Sequence, residues 1–183
     1  MDHKHVPLSG IPASGLSVVV SDQQVWQEPL RRFAMDCRIA DAVTAEVMLV
    51  PQDSGCLIRG KIRGKVILPC NRCLEDTIVA LEHDFDEFEA YPDADGPALD
   101  SDDLMPEESL VTMKDGLLFL DLASLLWEEF SLALPDKPLC RLDCKGLCPS
   151  CGHNLNLGQC GCAAESGDSR FEVLRNYKVD RQA

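Results

Sequence analysis

The chain has 183 residues, 45% of them hydrophobic and 26% charged, with a formal net charge of −14 at pH 7. That length holds one domain with a real core, or one domain plus a small appendage, and the composition is that of a soluble globular protein. The acidity argues against general attraction to nucleic acid, but it is uneven: residues 82–108 carry twelve acids and no Lys or Arg, which leaves the remainder near −2 and able to hold a local basic patch.

Residues 1–15, with His3, His5, Pro7, Gly10, Pro12 and Gly15, read as an irregular start. Residues 16–20 form a strand candidate and are too short for a secretory signal. Residues 25–35 read as a weak helix or loop interrupted by Pro29. From 43 to 88 the period is two, the mark of a half-buried antiparallel meander of three strands. Val43, Ala45, Val47 and Leu49 share one face of the first strand. Ile58, Ile62, Val66 and Leu68 share one face of the second, with Arg59, Lys61, Arg63 and Lys65 opposite. Thr77, Val79, Leu81 and Phe85 share a face of the third.

Residues 91–109, with Pro92, Gly96, Pro97 and Pro106 among the acids, read as a long solvated loop. Residues 117–120 are a short strand candidate. Asp121 suits an N-cap, Leu122, Leu125, Leu126, Phe130 and Ala133 continue at helical spacing, and Pro135 ends that helix. Asp121, Glu128 and Glu129 make residues 117–134 a poor membrane span. Residues 163–168 read as a linker, and Phe171, Leu174 and Tyr177 suggest a short terminal helix over 169–178. The expected fold is α+β, mainly an antiparallel β-meander with a packed helix (residues 1–139), followed by a C-terminal zinc-binding module (residues 140–183).

Six of the ten cysteines fall within residues 140–162. Eight form four pairs: Cys70/Cys73, Cys140/Cys144, Cys148/Cys151 and Cys160/Cys162. Cys148-Pro-Ser-Cys-Gly152 has the form of a metal knuckle, in which a two-residue gap lets two thiolates converge on one ion and the glycine permits the crowded backbone behind them. A reducing compartment keeps such thiols available for metal rather than disulfides. Cys160/Cys162 is the natural partner of the knuckle, which leaves Cys70/Cys73 for Cys140/Cys144. A compact set of Cys140, Cys144, Cys148 and Cys151 is the crowded alternative. Two zinc ions are expected, because closed four-sulfur zinc sites add folding free energy without a redox partner. A rubredoxin-like iron centre shares the same ligands. Cys37 and Cys56 read as small apolar residues, and His153 as a loop residue.

The row Arg59, Lys61, Arg63, Lys65 sets four cations on one strand face about 6–7 Å apart, extended by Arg72, a pitch that can track a phosphate backbone. The competing reading is cross-strand pairing with Glu46, Glu82 or Asp84. No aromatic residue interleaves with the row, so it does not indicate base stacking. No catalytic constellation is present: Ser150 has no nucleophile elbow, and there is no phosphate-binding glycine loop.

The chain resembles the YceD family of large ribosomal RNA subunit accumulation proteins. The resemblance lies in Cys70-Asn-Arg-Cys-Leu-Glu75, Asp121-Leu122 with its helix, Leu132-Ala-Leu-Pro135, Cys140 to Asn156, Cys160-Gly-Cys162 and Asp168-Ser-Arg-Phe171. It covers about residues 55–175. It implies a bacterial, cytoplasmic, non-enzymatic factor for the accumulation or processing of large-subunit (23S) ribosomal RNA. Its partners would be that RNA, a pre-ribosomal particle or a ribosomal protein, with no membrane and no small-molecule substrate. Some relatives lack the Cys148–Cys162 cluster, which implies that it is a separate site. Two rival readings stand beside this: a redox-responsive zinc/thiol protein, and an acidic adaptor for a basic ribosomal protein.

Overall fold

The computed structural model describes residues 5–92, 109–162 and 170. Most of the expected acidic loop (93–108), the linker 163–168 and, apart from Arg170, the terminal helix 169–178 lie outside the described residues, as does His3.

Two antiparallel sheets and two helices make up the described chain. The larger sheet has the order β2-β3-β4-β5, from β2 (Leu16–Val20), β3 (Arg38–Pro51), β4 (Gly55–Pro69) and β5 (Asp76–Ala90). The expected meander is therefore present, with β2 added at its edge. The smaller sheet has the order β1-β7-β6, from β1 (His5–Pro7), β6 (Val111–Lys114) and β7 (Leu117–Asp121). Helix α1 spans Gln24–Arg32 and α2 spans Leu122–Ala133.

The start of the chain is more ordered than its prolines and glycines suggest. His5–Pro7 pairs with β7, and Val6 and Leu8 are buried in the core. Strand β6 is absent from the sequence expectations. Its signal is Asp115-Gly116, both at positive φ, the two-residue turn whose twist suits a hairpin. Helix α1 runs through Pro29 because Val25, Trp26 and Leu30 are buried on either side of it, and packing outweighs one missing backbone donor. Asp121 caps α2 as expected, accepting from the Ser124 amide at 3.0 Å.

The inner faces of β3, β4 and β5 meet both helices in one core. Val43, Ala45, Val47, Leu49, Ile58, Ile62, Val66, Leu81 and Phe85 pack with Trp26, Leu126 and Phe130. Gly60 faces Phe85 across β4 and β5, and a Cβ there would lie 2.1 Å from the ring, so the aromatic fills the space the glycine leaves. Glu129 of α2 is buried and meets His83 of β5, with Oε2 and Nε2 2.6 Å apart, so the helix is joined to the sheet by a partnered carboxylate. Cys37 and Cys56 are both buried, and burial together with Asp36 pushes the Cys37 thiol up to about 11, which leaves it unreactive.

One clamp holds α1 to the sheet. The β3–β4 register shifts between Asp41 and Thr44, and Val43, inside that break, turns its backbone toward α1. Gln23 Nε2 donates to the Val43 carbonyl at 2.9 Å, and its Oε1 accepts from the Val43 amide at 3.0 Å. Trp26 Nε1 donates to the same carbonyl at 3.2 Å. Gln23→Ala removes the partner of the Val43 amide and should cost about 1–3 kcal/mol. Urea unfolding checks this: the midpoint should fall while the slope is unchanged.

Candidate metal centre

The turn between β4 and β5 is the first knuckle. The Cys70 amide donates to the Glu75 carbonyl at 2.8 Å, and the Leu74 amide donates to the Cys70 carbonyl at 2.9 Å. The second knuckle repeats this pattern. The Cys148 amide donates to the His153 carbonyl at 2.8 Å, and the Gly152 amide to the Cys148 carbonyl at 2.8 Å. Both need a left-handed residue one place after the second cysteine. Gly152 has φ 72°, and Leu74 has φ 62° in the equivalent place. A non-glycine residue there costs roughly 1–2 kcal/mol. His153 takes part through its backbone carbonyl, in agreement with its reading as a loop residue.

The eight paired cysteines gather into two groups. Cys70, Cys73, Cys140 and Cys144 form one, and Cys148, Cys151, Cys160 and Cys162 the other, with the sulfurs of each group all within 4.8 Å of one another. Cys70 and Cys144 Sγ are 3.8 Å apart, and Cys73 and Cys140 Sγ 3.6 Å. Four sulfurs at about 2.3 Å from a tetrahedral ion lie about 3.8 Å from each other, so these two separations match those around a zinc or iron ion. The crowded alternative set, drawn from Cys140, Cys144, Cys148 and Cys151, is not formed. In the first group only Cys140 is exposed, whereas in the second only Cys148 is buried.

The two groups also divide their protons unequally. Burial pushes the Cys70 thiol up, but the amides of Cys140, Arg72 and Cys73 together outweigh it and bring it down to about 6. The amides of Cys151 and Ser150, with Cys160, bring Cys148 to about 6. Burial and the neighbouring sulfurs push Cys140 up to about 12, and the neighbouring sulfurs do the same to Cys162. Each group thus sets thiols that are pulled down beside thiols that are pushed up: in the first Cys144 is also lowered and Cys73 raised, and in the second Cys160 is raised. A divalent cation at the centre would remove that conflict.

The segment carrying six of these cysteines is fastened to the β4–β5 turn. The Asn71 amide donates to the Pro138 carbonyl at 2.7 Å, and the Leu147 amide to the Arg72 carbonyl at 3.1 Å. Arg72 Nη1 donates to the Cys144 carbonyl at 2.9 Å, so its guanidinium holds this junction together rather than extending the strand row. Gly146, at φ 75°, lets the chain pass close to Arg72: a Cβ there would stand 3.1 Å from the Arg72 carbonyl.

The sequence shows nothing of what joins the two groups. Asn156 lies in the loop between Cys151 and Cys160, yet its Nδ2 donates to Cys144 Sγ of the first group at 3.3 Å. Its Oδ1 accepts from the Lys145 amide at 2.8 Å. Asn154 Nδ2 donates to Glu75 Oε1 at 3.2 Å, and Asn154 Oδ1 accepts from Asn156 Nδ2 at 2.8 Å. As sequence, both asparagines read only as turn formers.

The strand row emerges as a mixed-charge face. Arg59 pairs with Asp86 at 2.9 Å, Arg63 with Asp84 at 2.9 Å and Lys65 with Asp41 at 2.7 Å. Lys61 lies in register between Glu46 and Asp84 and forms no ion pair among the described residues. Of the acids expected from sequence only Asp84 is used: Arg63 lies opposite Glu82 in the register but reaches diagonally to Asp84.

An antiparallel hairpin whose turn is a cysteine knuckle, tied to a second knuckle far along the chain, defines an α+β protein with a candidate cysteine metal centre. Residues 58–178 match the family described as Large ribosomal RNA subunit accumulation protein YceD. The chain belongs to that family. An uncharacterised protein of Mycobacterium tuberculosis is 32% identical over 98 residues, covering 54% of this chain and 44% of that protein. A chloroplastic protein of Arabidopsis thaliana named as a large ribosomal RNA subunit accumulation protein YCED homolog is 25% identical over 142 residues, covering 67% of this chain and 44% of that protein. An uncharacterised protein of Mycobacterium leprae is 26% identical over 141 residues, covering 77% of this chain and 54% of that protein. The chain spans about half the length of these relatives. No solved structure matches.

Two outcomes are expected of the cysteine groups. Asn156→Ala leaves all eight sulfurs in place but removes the donor to Cys144, so zinc should bind the first group about 10–100-fold more weakly, measured by competition with a chromophoric chelator. Zinc uptake by metal-free protein at neutral pH should release fewer protons than there are sulfurs, because Cys70 and Cys148, at about 6, are already largely thiolates. Below that pH these sulfurs must also be deprotonated, so affinity should fall more steeply with acid, which a pH series of the same competition reads.

Proposed function

We propose that this chain is a non-enzymatic ribosome-biogenesis factor that promotes the accumulation or processing of large-subunit ribosomal RNA in the cytoplasm. It would be built as a main domain (residues 1–139) and a cysteine-rich module (residues 140–183) with two structural zinc ions, one held by Cys70, Cys73, Cys140 and Cys144, the other by Cys148, Cys151, Cys160 and Cys162. The observation that carries the proposal is where the family match falls: residues 58–178 take in β4, the cysteine turn, β5, α2 and both sulfur groups. Four thiolates around one ion leave no position for an activated water, so such centres organise the chain and do not hydrolyse a substrate.

The partner in this proposal is the RNA itself or a pre-ribosomal particle. Lys61 is the row cation without an ion pair among the described residues, while Arg59, Arg63 and Lys65 would exchange carboxylates for phosphates. Exposed ion pairs contribute only about 0–1 kcal/mol each, so that exchange is inexpensive. Among the described residues no helix is long and apolar enough to cross a membrane.

Removal of the gene should lower large-subunit ribosomal RNA relative to small-subunit RNA, and the intact gene should restore it. Unchanged RNA levels in the deletion strain would overturn the proposal. Lys61→Glu/Arg63→Glu should keep its fold and zinc while binding RNA more weakly, with a salt slope flattened by about one unit per lost phosphate contact. A lower melting temperature with unchanged RNA affinity would instead assign the row to sheet stability.

A further inference from the structure

A column of aromatic rings runs from the core to the surface where α1 meets α2. Trp26 and Phe130 are fully buried, with ring centroids 5.5 Å apart. Phe130 stacks with half-buried Trp127 at 5.5 Å and 24°. Trp127 stacks in turn with Phe33 at 5.8 Å and 13°. Phe33 ends the column and is 56% exposed. Phe88 is exposed to a similar degree, at 51%, but the Phe33 ring is fixed in place by the backbone of its helix end.

The end of α1 is closed by a paired turn. The Met35 amide donates to the Leu30 carbonyl at 3.0 Å and the Ala34 amide to the Arg31 carbonyl at 3.2 Å, the two bonds of a Schellman motif. Such a motif usually ends in glycine, and here Ala34 takes the left-handed position at φ 49°. Phe33 is the C-cap just before it. The ring is thus fixed by a closed helix end on its own side and by Trp127 on α2.

Two cations precede it in the chain. Arg32 places its guanidinium 5.4 Å from the Phe33 ring centroid, and Arg31 is tethered by its Nε to the Gln27 carbonyl at 3.3 Å. Both are exposed, and neither forms an ion pair with a carboxylate among the described residues. The strand row differs on both counts, since it lacks aromatics and three of its four cations are paired with acids. Arginines at a helix C-terminus also offset the helix dipole, which accounts for their sign but not for the exposed, fixed ring that Arg32 covers.

From this geometry we propose that Phe33 is a stacking site for an unpaired base of single-stranded RNA, with Arg31 and Arg32 meeting the adjoining phosphates. The base lies on the ring face that Arg32 now covers, and the guanidinium moves outward to the backbone. Splayed bases on aromatic rings beside arginine are the usual means of recognising unpaired RNA. Stacking also suits a chain with a net charge of −14, because it does not depend on long-range attraction. The site rests on the reading that this chain acts on ribosomal RNA, and it supplies a contact that the strand row does not.

The test uses the full-length, zinc-loaded protein and an unstructured oligoadenylate of about ten nucleotides, followed by tryptophan fluorescence. Binding should quench Trp127, and with two phosphate contacts the logarithm of affinity should fall with the logarithm of salt at a slope of about −1.4. Phe33→Ala and Phe33→Leu should both bind about ten-fold or more weakly, while Phe33→Tyr retains affinity. Arg31→Ala/Arg32→Ala should flatten the salt slope. No binding by the wild-type protein, or full affinity in Phe33→Leu, overturns the stacking site. Cells separate the two readings. If deletion lowers large-subunit RNA but Phe33→Ala restores it fully, the stacking site is wrong and the family role stands. If deletion changes nothing while oligoadenylate binding still depends on Phe33, the family role is wrong and the stacking site stands.

Discussion

The structure depends on holding the tip of one hairpin against a segment far along the chain. Cys70 and Cys144 are 74 positions apart, and their sulfurs are 3.8 Å apart. Closing a loop of that length costs about 4 kcal/mol from its logarithmic term alone. The backbone bonds across the junction, Asn71 to Pro138 and Leu147 to Arg72, contribute only about 0.5–1.5 kcal/mol each. The four-sulfur group stands at the point where this closure is needed. A structural zinc ion in a site of this kind contributes on the order of 10 kcal/mol, enough to exceed the closure cost.

The duplicated knuckle shows how the same local chemistry serves two settings. Around Cys148 the left-handed position is glycine, the site is open to solvent, and its four cysteines lie within fifteen residues. Around Cys70 that position is Leu74, three of the four cysteines are buried, and they come from two distant segments. Asn156 and Asn154 cross from the second loop to Cys144 and Glu75, so the local site also buttresses the long-range one. Two groups with separate cysteines are therefore connected by hydrogen bonds.

Charge is arranged with the same economy. On the outer face of the large sheet, cations of β4 are answered by acids of β3 and β5, which leaves that surface mixed rather than basic. The arginines at the end of α1 have no such partners among the described residues, and there an aromatic column reaches the surface. On the readings proposed above, contact with RNA would be concentrated at a few side chains on a protein that otherwise repels it.

Spacing alone made much of this legible. Period-two alternation marked β3, β4 and β5 and their buried faces, because a strand facing a core must repeat every second residue. Asp121 and Pro135 marked the ends of α2, since capping and chain termination are local events. The short spacing from Cys148 to Cys162 favoured two groups of cysteines, but it left the set of Cys140, Cys144, Cys148 and Cys151 open, and the tertiary structure decided between them. What tertiary structure alone decided involves partners that no local rule selects. These are the register that gives Arg59 to Asp86, the turn of Val43 toward Gln23, the reach of Asn156 to a sulfur of the other group, and the meeting of Phe33 with Trp127. Local conformation is written in neighbouring residues, whereas these contacts depend on how distant surfaces pack, and many sequence positions could have satisfied either side.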